Sequence, residues 1–311
     1  MGSEQRSAIH PVGPFDLTRS IAFLEEWPVT RGQAERDSAL RFAFCLENDW
    51  RPVGVRVSQH GHGVDVEASG PGAAAEDVVA QVARVLSLDV DATVVDEIAE
   101  RDPVVARLVA AAPGLRPVCF WTPWEAACWA VLSQRTSMRT ASVLKQRIAS
   151  DLGPTVAVDG RELTVFPSPG VVLDATELPG VNALKLERIH GLAAAASDGR
   201  LTTAALRSAS TVDALEGLQR LPGVGPFSAA LILIRGAGAP DVFTTGEARL
   251  LSTMRSTYGL SESAGDDDYR AVAEAWRPLR SWVSCWLRSR DPRPNPARFL
   301  AKSGKKPASK N

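Results

Sequence analysis

The stretch Leu221-Pro222-Gly223-Val224-Gly225-Pro226, with the apolar run Phe227 to Ile234 behind it, limits the fold more than any other part of this 311-residue chain. The glycines and prolines interrupt two helical patterns, which predicts a helix, a tight hairpin and a second helix. Ser210 or Thr211 can cap the first helix, whose Leu215 and Leu218 face inward. Gly223 and Gly225 permit positive φ and a close approach of backbone to a ligand. Pro226 suits the first position of the second helix, where a missing N–H costs little. The N–H groups at that helix start, together with the helix dipole, form an anion site. An ordinary turn between two core helices would carry the same short pattern, so the longer context has to decide. Just downstream, Asp241-Val242-Phe243-Thr244-Thr245-Gly246-Glu247 brings a carboxylate, Glu247, to the head of another helical run.

The chain is long enough for two domains with substantial cores. Its 45% hydrophobic and 23% charged residues describe an ordinary globular protein. No apolar run is long enough to span a bilayer, and Met1 to Pro14 has no secretory pattern. Cys45, Cys119, Cys128 and Cys285 are scattered, which argues against zinc, an iron–sulfur cluster or a disulfide framework and makes a reduced cytoplasm the default. The net charge of −1 does not announce a nucleic-acid binder. Local clusters matter more: Arg135, Arg139, Lys145 and Arg147 form one, and Arg277, Arg280, Arg288, Arg290 and Arg293 another. Both could equally be solvated helix faces. Lys302, Lys305, Lys306 and Lys310 lie in a tail expected to be disordered.

Residues 15–88 read as an α+β domain, after a flexible N-terminus over 1–14. Phe15 to Trp27 mixes aromatic and apolar positions. Leu40 to Leu46, Val53 to Val57 and Val64 to Glu67 alternate like antiparallel strands, with turns at Asn48-Asp49 and His60 to Gly63. Glu76 to Leu88 is helical. A helical domain is expected over 89–298, and a basic tail over 299–311. Asp91 or Thr93 starts a helix through Ile98. Thr122-Pro123-Trp124-Glu125 is a capping-box start. Further helices are expected at Ala141 to Leu152, Ala183 to Ala196, Thr203 to Arg207, Val212 to Arg220, Phe227 to Arg235, Glu247 to Tyr258 and Tyr269 to Leu287. Phe166-Pro167-Ser168-Pro169 reads as a linker turn. The fold class is therefore mainly α, with an N-terminal antiparallel-sheet domain.

Six pieces in one order carry a resemblance. They are Pro113 to Arg116, Val131 to Ser137, Phe166 to Pro169, the hairpin, Asp241 to Phe243, and Trp276 to Ser281. On them the chain, from about 14 to 290, resembles the helix-hairpin-helix DNA glycosylase superfamily, and within it the 3-methyladenine DNA glycosylase II (AlkA-type) family. The resemblance implies a monofunctional DNA N-glycosylase of base excision repair. Such an enzyme flips a damaged base, here an alkylated one, out of double-stranded DNA and hydrolyses its N-glycosidic bond. A monomer with no membrane partner is implied.

Carried over position by position, Gly223, Val224 and Gly225 would hold a DNA phosphate through their N–H groups. Main-chain carbonyls of Gln219, Leu221 and Val224 would hold a structural Na or K ion, the only cofactor implied. Gln134 would stand beside the wedge that parts the strands, and Arg135 would be that wedge, where an apolar residue is common. Phe227 stands where bifunctional members carry lysine, so lyase activity is not expected, and it would wall the base pocket. Two further pocket positions fall on Leu231 and Arg288, with Trp124, Trp282 and Trp286 as compensating aromatics unless they are core. The catalytic position falls on Glu247, where the family has aspartate. A carboxylate suits a sugar that gains positive charge, but the extra methylene changes its reach. Glu247 either stabilises that sugar or only caps its helix. The alternative function is therefore a DNA-binding protein of glycosylase fold with little or no catalysis.

Overall fold

The computed structural model describes residues 5–27, 29, 34–36, 39–70 and 74–289. The alternating segments form strands β3 (Leu40–Cys45), β4 (Pro52–His60) and β5 (Gly63–Ser69), an antiparallel meander in which Phe42 faces Val55 and Val57 faces Val66. Two strands that the sequence did not mark complete the sheet, β1 (Gln5–Ile9) against β5 and β2 (Ala34–Arg36) against β3. Part of the N-terminus expected to be flexible is thus an edge strand. The sheet order is β1-β5-β4-β3-β2. Helix α1 (Leu17–Glu26) and helix α2 (Ala75–Val85) cover it and share its core, where Phe42 stacks on Trp121 at 4.4 Å.

The helical part contains one more departure, the hairpin of β6 (Thr155–Val158) and β7 (Arg161–Thr164). It lies so close to the sheet that a Cβ on Gly54 would meet Val158 at 2.2 Å. Glycine there is a requirement of close approach. The buried cluster of Ala43, Cys45, Val158, Leu163 and Val165 seals the contact.

The remaining helices build two cores. One joins α5 (Pro123–Leu132), α6 (Met138–Leu152), α7 (Pro169–Asp174), α8 (Ala183–Ser197), α9 (Thr203–Ser208), α10 (Thr211–Gln219) and α11 (Pro226–Leu231). The other joins α3 (Val94–Arg101) and α4 (Pro103–Ala111) to α12 (Ala248–Tyr258), α13 (Asp266–Glu274) and α14 (Arg280–Ser289), far away in sequence. The run from Tyr269 to Leu287, expected as one helix, is two, because Pro278 cannot supply a helical N–H. After α11 the chain makes a π-helical turn, Ile232–Gly236. The capping box at Thr122 is only half formed. Thr122 accepts from the Glu125 amide at 3.0 Å, but the Glu125 carboxylate pairs with Lys145 at 2.9 Å, both side chains buried.

That pair removes Lys145 from the first basic cluster and leaves Arg135, Arg139 and Arg147 exposed. The second cluster is internally neutralised. Arg277 and Arg280 bind Asp241 at 2.8 and 2.7 Å and also reach Glu274, while Arg288 binds Glu247. Arg290, Arg293 and the lysines of the tail lie outside the described residues.

Candidate active site

The hairpin forms where expected. Ser210 accepts from the Asp213 amide at 3.1 Å and starts α10; Pro226 opens α11. Gly223 has φ +78°, where an L side chain is strained, and a Cβ would sit 2.6 Å from Arg188 Cδ. Gly225 differs from expectation. Its φ is −93°, which any residue adopts, and open space surrounds its Cα, so its use is to leave the N-terminus of α11 uncovered. The Val224 N–H is not aimed at a ligand either. It donates to Leu221 O at 3.1 Å within the turn. The amides left at this helix start are those of Gly223, Gly225, Phe227 and Ser228, since Pro226 has none. Replacing Gly223 by Ala is expected to cost about 1–2 kcal/mol, since the left-handed backbone stays strained, and to weaken DNA affinity by disturbing the Arg188 side chain. Urea unfolding and a DNA titration check both.

Gln134 and Arg135 sit in the turn after α5. The Gln134 carboxamide donates to Gly223 O at 2.6 Å and accepts from Arg188 at 2.8 Å. It is a strut between turn and hairpin. Lys185, which the sequence did not single out, anchors the same turn by donating to Leu132 O at 2.7 Å and Thr136 Oγ1 at 2.9 Å. Arg135 is exposed and takes φ +51°, unusual for a residue with a Cβ. The positive φ is held in place by the bracing of this turn, and backbone outliers of this kind cluster at functional sites.

Beside this rim lies a cavity of about 290 Å3. It opens between the two helical cores, with Phe227, Leu231 and Trp129 from one and Glu247, Leu250 and Arg288 from the other, and with Trp27 added by the end of α1. Phe227 is 52% exposed and stands at its mouth. Glu247 holds the N-cap position of α12, yet its carboxylate makes no cap hydrogen bond. Any capping by Glu247 is therefore through its charge beside the helix start and not through a hydrogen bond. Instead Arg288 Nε donates to the carboxylate at 2.7 Å, and the two side chains are only partly buried.

The tryptophans do not compensate as pocket walls. Trp124 is fully buried and donates to Pro167 O at 3.0 Å, because the closed helix face of α5 points into the core. Trp282 and Trp286 stack edge-to-face at 6.0 Å and line a separate cavity of about 110 Å3 near Leu115. Besides Phe227, the aromatic walls are Trp27, Phe120 and Trp129, which the sequence pattern could not tell from core. Arg235, also unmarked in the sequence, joins them through the π-helical turn. Its guanidinium donates to Val118 O at 2.5 Å and lies 4.3 Å from the Trp27 ring centroid.

Cys285 lines the cavity and is half-exposed, whereas burial pushes the Cys45 thiol up to about 12 and raises Cys119 and Cys128 as well. Iodoacetamide near pH 8 is therefore expected to alkylate Cys285 alone in the native protein, and the adduct to obstruct the cavity. Peptide mass spectrometry of native against denatured samples reads this out.

The fold and site define a helix-hairpin-helix glycosylase scaffold. Residues 11–121 match the family described as the AlkA N-terminal domain. The chain is 26% identical over 278 residues to DNA-3-methyladenine glycosylase 2 of Escherichia coli, covering 87% of this chain and 92% of that one. It is 26% identical over 216 residues to a DNA-3-methyladenine glycosylase of Bacillus subtilis, covering 68% and 71%. The solved structure of 3-methyladenine DNA-glycosylase from Archaeoglobus fulgidus superposes with a TM-score of 0.77 at 20% identity, covering 94% of this chain and 99% of that one, which establishes the shared fold. Over most of its length the chain is thus similar to DNA-3-methyladenine glycosylases, and its first third matches the AlkA N-terminal domain. No helix among the described residues is long and apolar enough to cross a membrane.

Proposed function

We infer that the protein is a monofunctional DNA N-glycosylase of base excision repair. The reading rests above all on one observation: the Glu247 carboxylate faces a base-sized cavity whose mouth carries Phe227 and whose rim carries the hairpin. The relatives' names, DNA-3-methyladenine glycosylase, support the same reaction here; as the partner, form and place of this enzyme we take damaged double-stranded DNA, a monomer and the cytoplasm. The amides at the start of α11 would take a phosphate near the lesion, helped by the helix dipole. Arg135 would fill the gap left by the extruded base. In the chemical step water adds to C1′, the C1′–N bond breaks with its electron pair going to the base, and the base takes the proton. Positive charge on the sugar peaks in between, and Glu247 is the group that stabilises it.

Gln219, Leu221 and Val224 present neutral carbonyl oxygens at the end of α10. Leu221 O spends only one lone pair, on the Val224 amide. That donor set fits a hard monovalent ion such as Na or K. It would brace the hairpin without taking part in the chemistry. Phe227 offers no amine, so no Schiff base forms and strand cleavage is not expected.

The test is single-turnover release of bases from duplexes carrying alkylated, deaminated and etheno lesions, followed by borohydride trapping. Abasic product without a trapped adduct supports the reading. Retention of damaged DNA with no abasic product from any duplex overturns it in favour of a binding protein.

A further inference from the structure

The cavity holds three charged side chains among its described lining residues: Arg235, Glu247 and Arg288. Two are cations, and Glu247 already bonds to one of them at 2.7 Å. One of the four aromatic walls, Trp27, is taken by the Arg235 guanidinium at 4.3 Å, which also lies 5.2 Å from the Phe23 ring. A base with a fixed positive charge, such as an N7- or N3-alkylated purine, would enter a site whose described charged side chains sum to one positive charge and where one ring already serves a cation.

An uncharged base presents the opposite balance. When its glycosidic bond breaks, the sugar becomes positive and the base negative. The Glu247–Arg288 pair has the polarity of that dipole. Arg288 turning toward the departing base would donate to it, and the same movement would free the Glu247 carboxylate to face the sugar. With a cationic base the leaving group becomes neutral, and the arginine gains nothing by following it. Electrostatic catalysis depends on groups aimed where charge develops.

We propose that this pocket selects uncharged damaged bases with hydrogen-bond acceptors on their edge, and that Arg288 determines the selection by serving the leaving base while pairing with Glu247 at rest. The proposal rests on the glycosylase reading above and names its substrate class.

The experiment compares wild-type single-turnover release of 1,N6-ethenoadenine and hypoxanthine with that of 7-methylguanine, in matched duplexes and after subtraction of spontaneous loss. The faster of the two uncharged bases is expected to leave at least as fast as 7-methylguanine. Arg288→Gln is expected to shift the ratio at least tenfold toward the cationic base. Faster release of 7-methylguanine by the wild type overturns the proposal and leaves the glycosylase reading standing. So does an unchanged ratio in a folded Arg288→Gln protein. If that variant does not fold, the wild-type ordering decides. Release of neither kind by wild type or by Glu247→Asp overturns the glycosylase reading, and this inference with it.

Discussion

Glu247→Gln is expected to lower the single-turnover rate of base release by about 10²–10³-fold, the usual cost of removing one group aimed at developing charge. The amide keeps the shape and hydrogen-bonding reach of the side chain but cannot oppose a positive sugar. The carboxylate makes no cap hydrogen bond, and its partly exposed pair with Arg288 is worth up to about 1 kcal/mol, so folding stability is expected to fall by no more than that. Affinity for a duplex with a stable abasic analogue is also expected to hold within a few-fold, since the contacts proposed for the hairpin amides with the backbone and for Arg135 in the vacated stack do not involve Glu247. A rate that falls while stability and affinity stay level separates chemistry from packing. Glu247→Asp is informative in the other direction. It keeps the charge but withdraws it by a methylene, away from the Arg288 Nε now 2.7 Å distant. Misplacement by about 1 Å costs roughly a hundredfold, so Asp is expected to fall between wild type and Gln. Higher activity in Asp than in wild type would mean that the glutamate restrains the site.

Much of this site was legible in the sequence because its parts are local. The hairpin needs Gly223 at positive φ and Pro226 at a helix start, and both requirements are written in six consecutive residues. The meander was legible for the same reason, since strand alternation and turn residues are adjacent. The pocket was not. Its walls come from α1, α5, the π-helical turn and α14, and a tryptophan at helical spacing reads alike whether it faces core or cavity. Trp129 and Trp124 lie on the same helix, yet only the first reaches the cavity. The pairing of Arg288 with Glu247 joins residues 41 positions apart and depends on which way two helix ends point. Strands β1 and β2 were missed because they are short edge segments with little alternation, and β6–β7 because four-residue strands carry too little pattern.

The scaffold that aims Glu247 and Arg288 depends on a buried carboxylate remote from the cavity, and Asp102→Ala is expected to cost about 3–5 kcal/mol of folding stability. Asp102 Oδ1 accepts the Val104 and Val105 amides at 2.8 and 3.2 Å and so starts α4. Its Oδ2 accepts the Tyr258 hydroxyl at 2.8 Å from the end of α12 and the Trp276 indole N–H at 2.9 Å from the segment before α14. One side chain thus ties together the helices that carry Glu247 and Arg288. Alanine would leave a helix start uncapped and the Tyr258 hydroxyl without its acceptor, with the Trp276 indole left only its 3.1 Å bond to that hydroxyl. Asparagine is no rescue, because one of its ends must turn an NH2 toward a donor, so Asp102→Asn is expected to be nearly as costly. Chemical denaturation of the three proteins measures this directly. The same knot gives a pH signature. Burial, and then the bond to Asp102, hold the Tyr258 phenol well above its ordinary value of 10.0. Below about pH 10 the phenol is protonated in both states, and its contribution is intact. Above it the unfolded chain releases the proton while the folded one keeps it, so stability falls with pH by up to about 1.4 kcal/mol per unit. Tyr258→Phe removes that slope, and the difference between the two proteins' stabilities from pH 9 to pH 11 isolates it from the lysines that titrate in the same range. A difference that stays flat across the range would mean that neither burial nor Asp102 holds the proton on the phenol in the folded state.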